Sequence, residues 1–326
     1  MQEVRKLRKM TEFLGIDTSN YTTSCALFSS ENMMVVQKKK LLPVKEGELG
    51  IRQSDAVFHH TKQLPELMKS LFTECNTSEI CGVGYSYAPT TAEGSYMPCF
   101  LVGECTAVSI GEASHIACFK TSHQIGHVLA ALYSCDKLDY INKSDGFIAF
   151  HVSGGTTDVL LCLPDKENVL NVRFVASSLD LKAGQAVDRV GLMLGLRFPC
   201  GKELEKLALK SKKEFKCKPV IKDGSCCLSG LENICGKMKK EGESYENIAA
   251  FCLEYIYQTI RSMSINAREK YGNLPIVYAG GVMSNSILQN KLAKLDNVSF
   301  AEPEFSCDNA VGIAIYAAIK KGMLKP

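Results

Sequence analysis

The sequence of 326 residues contains no run of about 18 apolar residues, the length from which a membrane-spanning helix is recognised. Its basic first ten residues lack the apolar stretch of a secretory signal peptide. These two absences predict a cytoplasmic protein without a membrane partner. The net charge of +3 does not by itself indicate a nucleic-acid partner.

The sequence also lacks any Cys-x-x-Cys pair, although it contains 15 cysteines. The cysteines are scattered along the chain and odd in number. Without an export signal, this pattern favours buried free thiols over disulfides or a zinc cluster. The adjacent Cys226 and Cys227 leave open a site for a soft metal, which the pattern does not favour.

With 46% hydrophobic and 22% charged residues, the composition is that of an ordinary soluble globular protein. The length allows two lobes, each with a core of its own. A strand over 80–85, a helix through Val108 and Ile110 and a strand over 115–119 follow one another. This alternation predicts a layered α/β lobe.

A long helix is predicted to begin with Ser54 and Asp55 as its cap, because apolar residues then recur at helical spacing. His59 and His60 lie on this helix. Adjacent helical residues point in different directions, so the two imidazoles cannot chelate one metal ion. The pair is therefore predicted to lie on a solvated face.

The most informative stretch is a glycine hairpin. Two apolar runs, 147–151 and 159–163, flank the sequence Ser-Gly-Gly-Thr-Thr, which has the residues of a tight turn. Adjacent glycines lack Cβ atoms, so their backbone amides can form an anion nest. A related strand, small-polar turn and strand occupy 13–28. Either copy alone is typical of an ordinary hairpin, but together they resemble the phosphate hairpins of the actin, sugar kinase and Hsp70 superfamily.

A second candidate site lies at the start of a helix that Ser122 is predicted to cap. His123 and His127 are four residues apart, so both imidazoles lie on one helix face within reach of a single metal ion. Such a pair is as typical of two surface histidines. Gln124 stands where a zinc protease carries glutamate, which counts against metalloproteolysis. Asp308 precedes an alanine-rich helix and fits either a third metal ligand or that helix's cap.

These stretches together resemble the TsaD family, the subunit that transfers threonylcarbamoyl to adenosine 37 of tRNA. The resemblance runs from Asp17 to Gly312 in the family's order and spacing. The most specific segments are 152–155, 183–188, 194–196, 198–201, 228–231, 279–285 and 303–309.

The resemblance implies an α/β, two-lobed actin-like ATPase (ASKHA) fold with a duplicated mixed-sheet core flanked by helices. Lobe I is expected to contain residues 11–121 plus 309–326, with the first hairpin. Lobe II is expected to contain residues 122–308, with the histidine helix, the glycine hairpin and the nucleotide-binding turns.

The resemblance also implies the reaction and its ligands. Threonylcarbamoyl would pass from threonylcarbamoyl adenylate to the amine of adenosine 37 in tRNAs reading ANN codons, with release of AMP and with TsaB-like and TsaE-like partner subunits. One divalent metal per chain, iron rather than zinc, would be bound by His123, His127 and Asp308. The residues that would hold the adenylate are His151, Val152, Ser153, Gly154, Gly155, Asp188, Gly201 and Asn285. No catalytic acid or base is implied.

The sequence departs from the family pattern at several polar positions. The family's Asp-Glu pair in the first hairpin is replaced by Asn20 and Tyr21, the histidine of Ser-Gly-Gly-His-Thr by Thr156, and an acidic residue by Gln185. The family's Gly-Pro-Gly loop corresponds to residues 88–94, and Cys200 replaces a glycine. These departures motivate an alternative: a catalytically weakened paralogue that acts as a nucleotide- and metal-binding scaffold.

Overall fold

The computed structural model describes residues 11–19, 21–43, 51–74, 80–307 and 310–326. Contacts divide the chain into two compact units. Unit 1 contains the described residues up to 139, residues 165–170 and the C-terminal residues from 310. Unit 2 contains residues 140–164 and 171–307.

Strands and helices alternate through both units. Strands β1 to β12 span Glu12–Ser19, Thr22–Ser29, Val35–Leu41, Ile80–Ala88, Ala117–Ser122, Phe147–Val152, Thr157–Asp165, Val169–Ser177, Val220–Lys222, Ser225–Cys227, Ile276–Ala279 and Val298–Phe300. Helices α1 to α9 span Gln53–Glu74, Phe100–Ser114, His123–Ser134, Ala183–Met193, Gly201–Ala208, Ser229–Lys240, Tyr245–Tyr271, Ser286–Leu292 and Val311–Lys320. None of the described helices has the length and apolar character needed to cross a membrane.

The sheet of unit 1 has the order β3-β2-β1-β4-β5. Its β1–β2 and β2–β3 pairs are antiparallel, whereas β1–β4 and β4–β5 are parallel. Because strand residues alternate between faces, Leu14 and Ile16 join a core with α1 and α2, while Gly15 faces α9. A Cβ at residue 15 would lie 2.3 Å from the carbonyl oxygen of Ala310, so glycine is required for this close packing.

The sheet of unit 2 has the order β8-β7-β6-β11-β12. Its β6–β7 pair is antiparallel, and β6–β11 and β11–β12 are parallel. Each sheet therefore has a hairpin strand at its centre, the hairpin partner on one side and two later parallel strands on the other. The predicted duplicated mixed-sheet core is confirmed. The strand side chains of Phe150, Val152 and Val159 pack into one core with α4 and α7.

The division between the units differs from the predicted boundary after residue 121. Helix α3, which was assigned to lobe II, belongs to unit 1 because it packs on α9. A Cβ at Gly126 would lie 2.5 Å from Cδ1 of Ile313, and one at Gly312 would lie 1.8 Å from the carbonyl oxygen of Gly126. Two facing glycines thus let the helix backbones approach.

Two predicted element boundaries are also corrected. Helix α1 begins at Gln53, so Ser54 and Asp55 lie in its first turn. The predicted strand over 115–119 begins at Ala117, because His115 adopts a φ of 54° and ends α2. The sequence also predicts a glycine-containing loop around Gly47 and Gly50, and these residues lie outside the described part of the chain.

Candidate functional site

Unit 1 contains a polar cluster around Asp17, whose side chain is fully buried at the end of β1. The hydroxyl of Ser19 donates to Oδ2 of Asp17 over 3.0 Å, and the hydroxyl of Ser86 donates to Oδ1. Nδ1 of His123 lies 3.0 Å from Oδ2. A buried carboxylate requires such partners, because leaving it unpaired costs several kcal/mol. The parallel pairing of β1 with β4 brings Ser86 to this position.

The two predicted metal-ligating histidines begin α3. Ser122 caps this helix as predicted, because its hydroxyl accepts from the backbone N–H of Ile125 at 3.3 Å. Nε2 of His123 lies 2.9 Å from Nε2 of His127. A carboxylate only accepts hydrogen bonds, so Nδ1 of His123 carries a proton, and in the neutral ring Nε2 then has the lone pair that faces His127.

Two imidazole nitrogens that converge, one oriented by a carboxylate, form the partial donor set of a divalent metal site. Within the described residues, no group of three His, Cys, Asp or Glu side chains is arranged to hold a metal ion. Asp308, the predicted third ligand, lies outside the described residues. The histidine pair therefore fits the predicted metal, and the full ligand set stays a prediction.

The predicted solvated position of the adjacent histidines on α1 is wrong for His60, which is fully buried. The amide of Gln63 donates to a backbone carbonyl, so its Oε1 accepts from the hydroxyl of Thr23 at 2.9 Å. That hydroxyl has one proton, so Nδ1 of His60, 2.8 Å away, donates to it. Burial lowers the pKa of His60 to about 4. The signal was present, because His60 lies four residues from buried Ala56 and from buried Leu64.

In unit 2, the predicted glycine turn joins β6 to β7. The backbone N–H of Ser153 donates to the carbonyl of Thr156 at 2.8 Å, and the N–H of Thr156 donates back to the Ser153 hydroxyl at 3.2 Å. Gly154 and Gly155 are exposed, and a Cβ at either would meet no atom within 4 Å. A ligand can therefore approach this backbone closely. The side chain of Val152 is buried in the core, so it leaves only backbone groups for a ligand.

The first turn of α4 is held against this glycine turn. The hydroxyl of Thr157 accepts from the N–H of Ala183 at 2.9 Å, and the carbonyl of Ser153 accepts from the N–H of Gly184 at 3.1 Å. A Cβ at Gly184 would lie 2.7 Å from Cα of Gly154. Glycine is thus required for the helix start to reach the turn. The N-terminal end of a helix favours a bound anion.

The other predicted ligand-binding residues occupy nearby element ends. Oδ1 of Asp188 on α4 accepts from the backbone N–H of Cys200 at 2.8 Å, which fixes the segment that enters α5 at Gly201. Burial raises the pKa of Asp188. Asn285 is buried, and its Oδ1 caps α8 by accepting from the N–H of Leu288 at 3.1 Å. Two of these polar side chains therefore also stabilise the local backbone.

The structure joins the turn after β11 to the same region. Gly280 adopts a φ of 102°, and a Cβ there would lie 2.2 Å from the carbonyl oxygen of Val152. Only glycine fits at this crossing. The segment leading to Asn285 is thus brought beside the end of β6, and His151 pairs with Ala279 in the sheet register.

Sequence reasoning missed Asp17 and Ser86 as site residues. Both stand at the ends of neighbouring parallel strands in unit 1, the end at which polar side chains gather in α/β sheets. Asp17 is also the first polar residue after an apolar strand in the first hairpin. That position in the sequence indicates a site residue at the end of a strand.

Comparison with known proteins places this geometry in a family. The sequence model for TsaD, described as tRNA N6-adenosine threonylcarbamoyltransferase, matches residues 34–315. The chain belongs to the TsaD family. A tRNA N6-adenosine threonylcarbamoyltransferase of Thermosipho africanus is 29% identical over 328 residues, covering 95% of each chain. The enzyme of that name in Buchnera aphidicola is 27% identical and covers 94% of this chain and 92% of its own. The predicted TsaD membership is confirmed.

Solved structures confirm the predicted fold class of this TsaD-family chain. Component A of the (R)-2-hydroxyglutaryl-CoA dehydratase of Acidaminococcus fermentans matches with a TM-score of 0.54 at 16% identity, over 96% of this chain and 99% of its own. HypF matches with a TM-score of 0.58 at 14% identity, over 98% of this chain and 57% of its own. A ROK family glucokinase of Streptomyces griseus has a TM-score of 0.51 at 10% identity, over 94% of this chain and 99% of its own. These are actin-like ATPase folds.

Proposed function

We propose that this chain transfers threonylcarbamoyl from threonylcarbamoyl adenylate to the amine of adenosine 37 in tRNAs that read ANN codons, releasing AMP. The amine nitrogen forms a bond to the carbamoyl carbonyl carbon while the bond between that carbon and the phosphate oxygen of AMP breaks, and the amine loses one proton to the solvent. The observation that carries the proposal is the glycine turn with the start of α4 against it. Membership in a family of tRNA threonylcarbamoyltransferases supports the reaction.

The glycine turn would bind the phosphate of the adenylate. The backbone of Gly154 and Gly155 is exposed and sterically open, and the N-terminal end of α4 lies against the turn. Exposed amides and a helix N-terminus both stabilise an anion. The remaining residues of the proposed adenylate site are His151, Val152, Ser153, Asp188, Gly201 and Asn285.

His123, His127 and Asp308 would hold one divalent metal, for which iron is favoured over zinc. When bound, such a metal supplies a Lewis acid for a carbonyl or phosphoryl oxygen. Asp17 keeps the proton of His123 on Nδ1, so that Nε2 stays available as a ligand atom. The contribution of these residues is orientation, since positioning alone can supply several kcal/mol of the barrier.

We further propose a cytoplasmic protein that works with TsaB-like and TsaE-like subunits and receives its adenylate from a separate enzyme. The resemblance to the TsaD family, in which the transferase acts as one subunit of an assembly, supports these partners.

The departures from the family pattern favour a second candidate, a scaffold that binds nucleotide and metal without transfer. Thr156 lies in the glycine turn, and Gln185 lies in the first turn of α4. Oε1 of Gln185 accepts from the backbone N–H of Lys182 at 3.3 Å, so it keeps a helix-capping contact while removing a negative charge. The backbone contacts of the glycine turn and of the start of α4 are retained, and a negative charge in the first turn of α4 is lost.

The test supplies threonylcarbamoyl adenylate and tRNA to the metal-loaded full chain together with its partner subunits. The wild type should release AMP and form modified adenosine, and His127→Ala should do neither while keeping its fold by circular dichroism. His59→Ala, a half-buried histidine on α1, is the matched control and should behave as the wild type. Nucleotide binding without AMP release or modified tRNA in the wild type would support the scaffold and refute the transferase.

A further inference from the structure

The positive charge of the chain is concentrated in one segment of unit 2. Residues 197–222 contain nine lysines and arginines but only three glutamates, so this segment carries +6 while the whole chain carries +3. The rest of the chain is therefore net negative. The basic residues are Arg197, Lys202, Lys206, Lys210, Lys212, Lys213, Lys216, Lys218 and Lys222.

Over residues 215–222 of this segment, half-buried and exposed residues alternate. Phe215, Cys217 and Ile221 are half-buried, and the latter two pack against the core of unit 2. Lys212, Lys216, Lys218 and Lys222 are exposed. We call these four side chains the lysine strip.

The backbone that carries the lysine strip is fixed along the 27-residue helix α7. The hydroxyl of Ser211 donates to Oδ1 of Asn247 at 2.5 Å. The ring of Phe215 packs edge-to-face on Phe251, with centroids 5.6 Å apart. Further along, the backbone of Val220 hydrogen bonds to the Tyr255 hydroxyl. The strip is therefore preorganised, so a ligand would not have to order it on binding.

Within the described residues, the four lysines of the lysine strip form no ion pair. Glu243, in the turn before α7, pairs with Lys213, and Glu254 on α7 pairs with Lys291. Among the other acidic residues of the segment, Glu203 accepts from the backbone N–H of Arg197 and Glu205 accepts from that of Ser286. Glu214 and Asp223 are the acidic residues within or next to residues 212–222. A row of unpaired cations on a fixed backbone fits a partner with regularly repeated negative charge.

We infer that the lysine strip is a docking surface for the phosphate backbone of the tRNA substrate. This inference rests on the proposed function, since tRNA is the polyanion that the transfer reaction requires. Lysine contacts to phosphates position a nucleic acid without reading its sequence. The strip would therefore contribute affinity for any tRNA, while selection of the reacting adenosine lies elsewhere.

The test measures the affinity of the full chain for tRNA at several salt concentrations. The triple variant Lys216→Gln, Lys218→Gln and Lys222→Gln should bind roughly tenfold more weakly at about 0.1 M salt. The slope of log affinity against log salt should become shallower by about 2 to 3, because each lost phosphate contact removes about one unit. The control variant Lys69→Gln, Lys166→Gln and Lys325→Gln makes the same charge change on exposed lysines of unit 1 and should match the wild type.

Equal affinity and equal slope in both triple variants would overturn the lysine strip as an RNA surface. A lysine-strip variant that no longer binds a protein partner but keeps its affinity for RNA would also overturn the inference, because the strip would then bind an acidic protein. Each single lysine variant should reduce the magnitude of the salt slope by about 1, so the single variants provide the test if the triple variant fails to fold. Wild-type tRNA binding that depends on the strip but yields no modified adenosine would refute the proposed function and leave the surface standing.

Discussion

Nδ1 of His123 lies 3.0 Å from Oδ2 of Asp17, a carboxylate with no solvent exposure. This contact fixes which ring nitrogen carries the proton and therefore which one can bind a metal. The same carboxylate accepts from the hydroxyls of Ser19 and Ser86, so its own position is fixed by both strands of a parallel pair. The sheet therefore positions the carboxylate of Asp17, and this carboxylate orients the imidazole of His123 at the start of α3.

Asp17→Asn should weaken metal retention by about tenfold or more, because loss of a ligand-orienting carboxylate typically costs 10- to 100-fold in affinity. Metal content is measured by mass spectrometry after dialysis against a graded chelator. Ser19→Ala is the matched control, because it removes one hydrogen bond to the carboxylate but leaves the charge in place. An Asp17→Asn protein that holds metal as firmly as the wild type would contradict the orienting role.

Substitutions at two glycines distinguish the role of the glycine turn in packing from its proposed role in binding phosphate. Gly184→Ala should lower the free energy of unfolding by about 1 to 3 kcal/mol, because the new Cβ would lie 2.7 Å from the Gly154 backbone. Gly155→Ala introduces a Cβ into open space and should leave stability nearly unchanged. Both should weaken binding of AMP, measured by calorimetry. Full affinity in Gly155→Ala would show that phosphate does not approach the backbone at that residue.

The sequence predicted the parts of this molecule that depend on local pattern. The two hairpins and the capping of α3 by Ser122 follow from apolar periodicity and turn residues, which local physics governs. The duplicated sheet was implied by the family resemblance. The resemblance to TsaD supplied the fold class, which the solved structures confirm.

What the sequence did not predict depends on contacts between distant residues. Nothing near Asp17 in the sequence shows that His123, 106 residues later, will share its carboxylate. The membership of α3 in unit 1 likewise depends on the packing of Gly126 against α9. His60 is a different case, because its four-residue spacing from Ala56 and Leu64 predicts a place on the buried face of α1. The prediction for the adjacent histidines considered only whether the two could chelate one metal ion.

Asp180→Asn should destabilise unit 2 at neutral pH by about 1 kcal/mol, a value reduced for the exposure of this side chain. Burial acts to raise its pKa, but hydrogen bonds from Ser229, Leu228 and Leu181 outweigh it and lower the pKa of Asp180 to about 2. The stabilisation is therefore present above about pH 4 and is lost as the pH falls toward 2.

The measurement for Asp180→Asn is the thermal midpoint at pH 7 and again near pH 3. The deficit of the variant should shrink at the lower pH. Asp223→Asn, an exposed aspartate in the turn between β9 and β10, is the control and should show no deficit at either pH. A deficit of the same size at both pH values would show that the charge of Asp180 is not what stabilises the start of α6.

His60 should make the stability of unit 1 depend on pH in a range where few other groups titrate. Burial lowers its pKa from 6.5 to about 4 in the folded protein. Between these values the unfolded chain binds more protons than the folded chain, so the free energy of unfolding falls as the pH decreases. Between about pH 7 and pH 5 the expected loss from His60 alone is about 2 kcal/mol.

The check for His60 is urea unfolding of the wild type, His60→Gln and His59→Gln at both pH values. His60→Gln should be less stable at pH 7, because it disturbs the hydrogen bonds of Thr23, but should lose about 2 kcal/mol less than the wild type on acidification. His59→Gln should keep the wild-type dependence. Equal losses of stability in all three proteins between the two pH values would contradict this prediction. His60 would then bind protons equally in the folded and unfolded states, so burial in the folded protein would not lower its pKa.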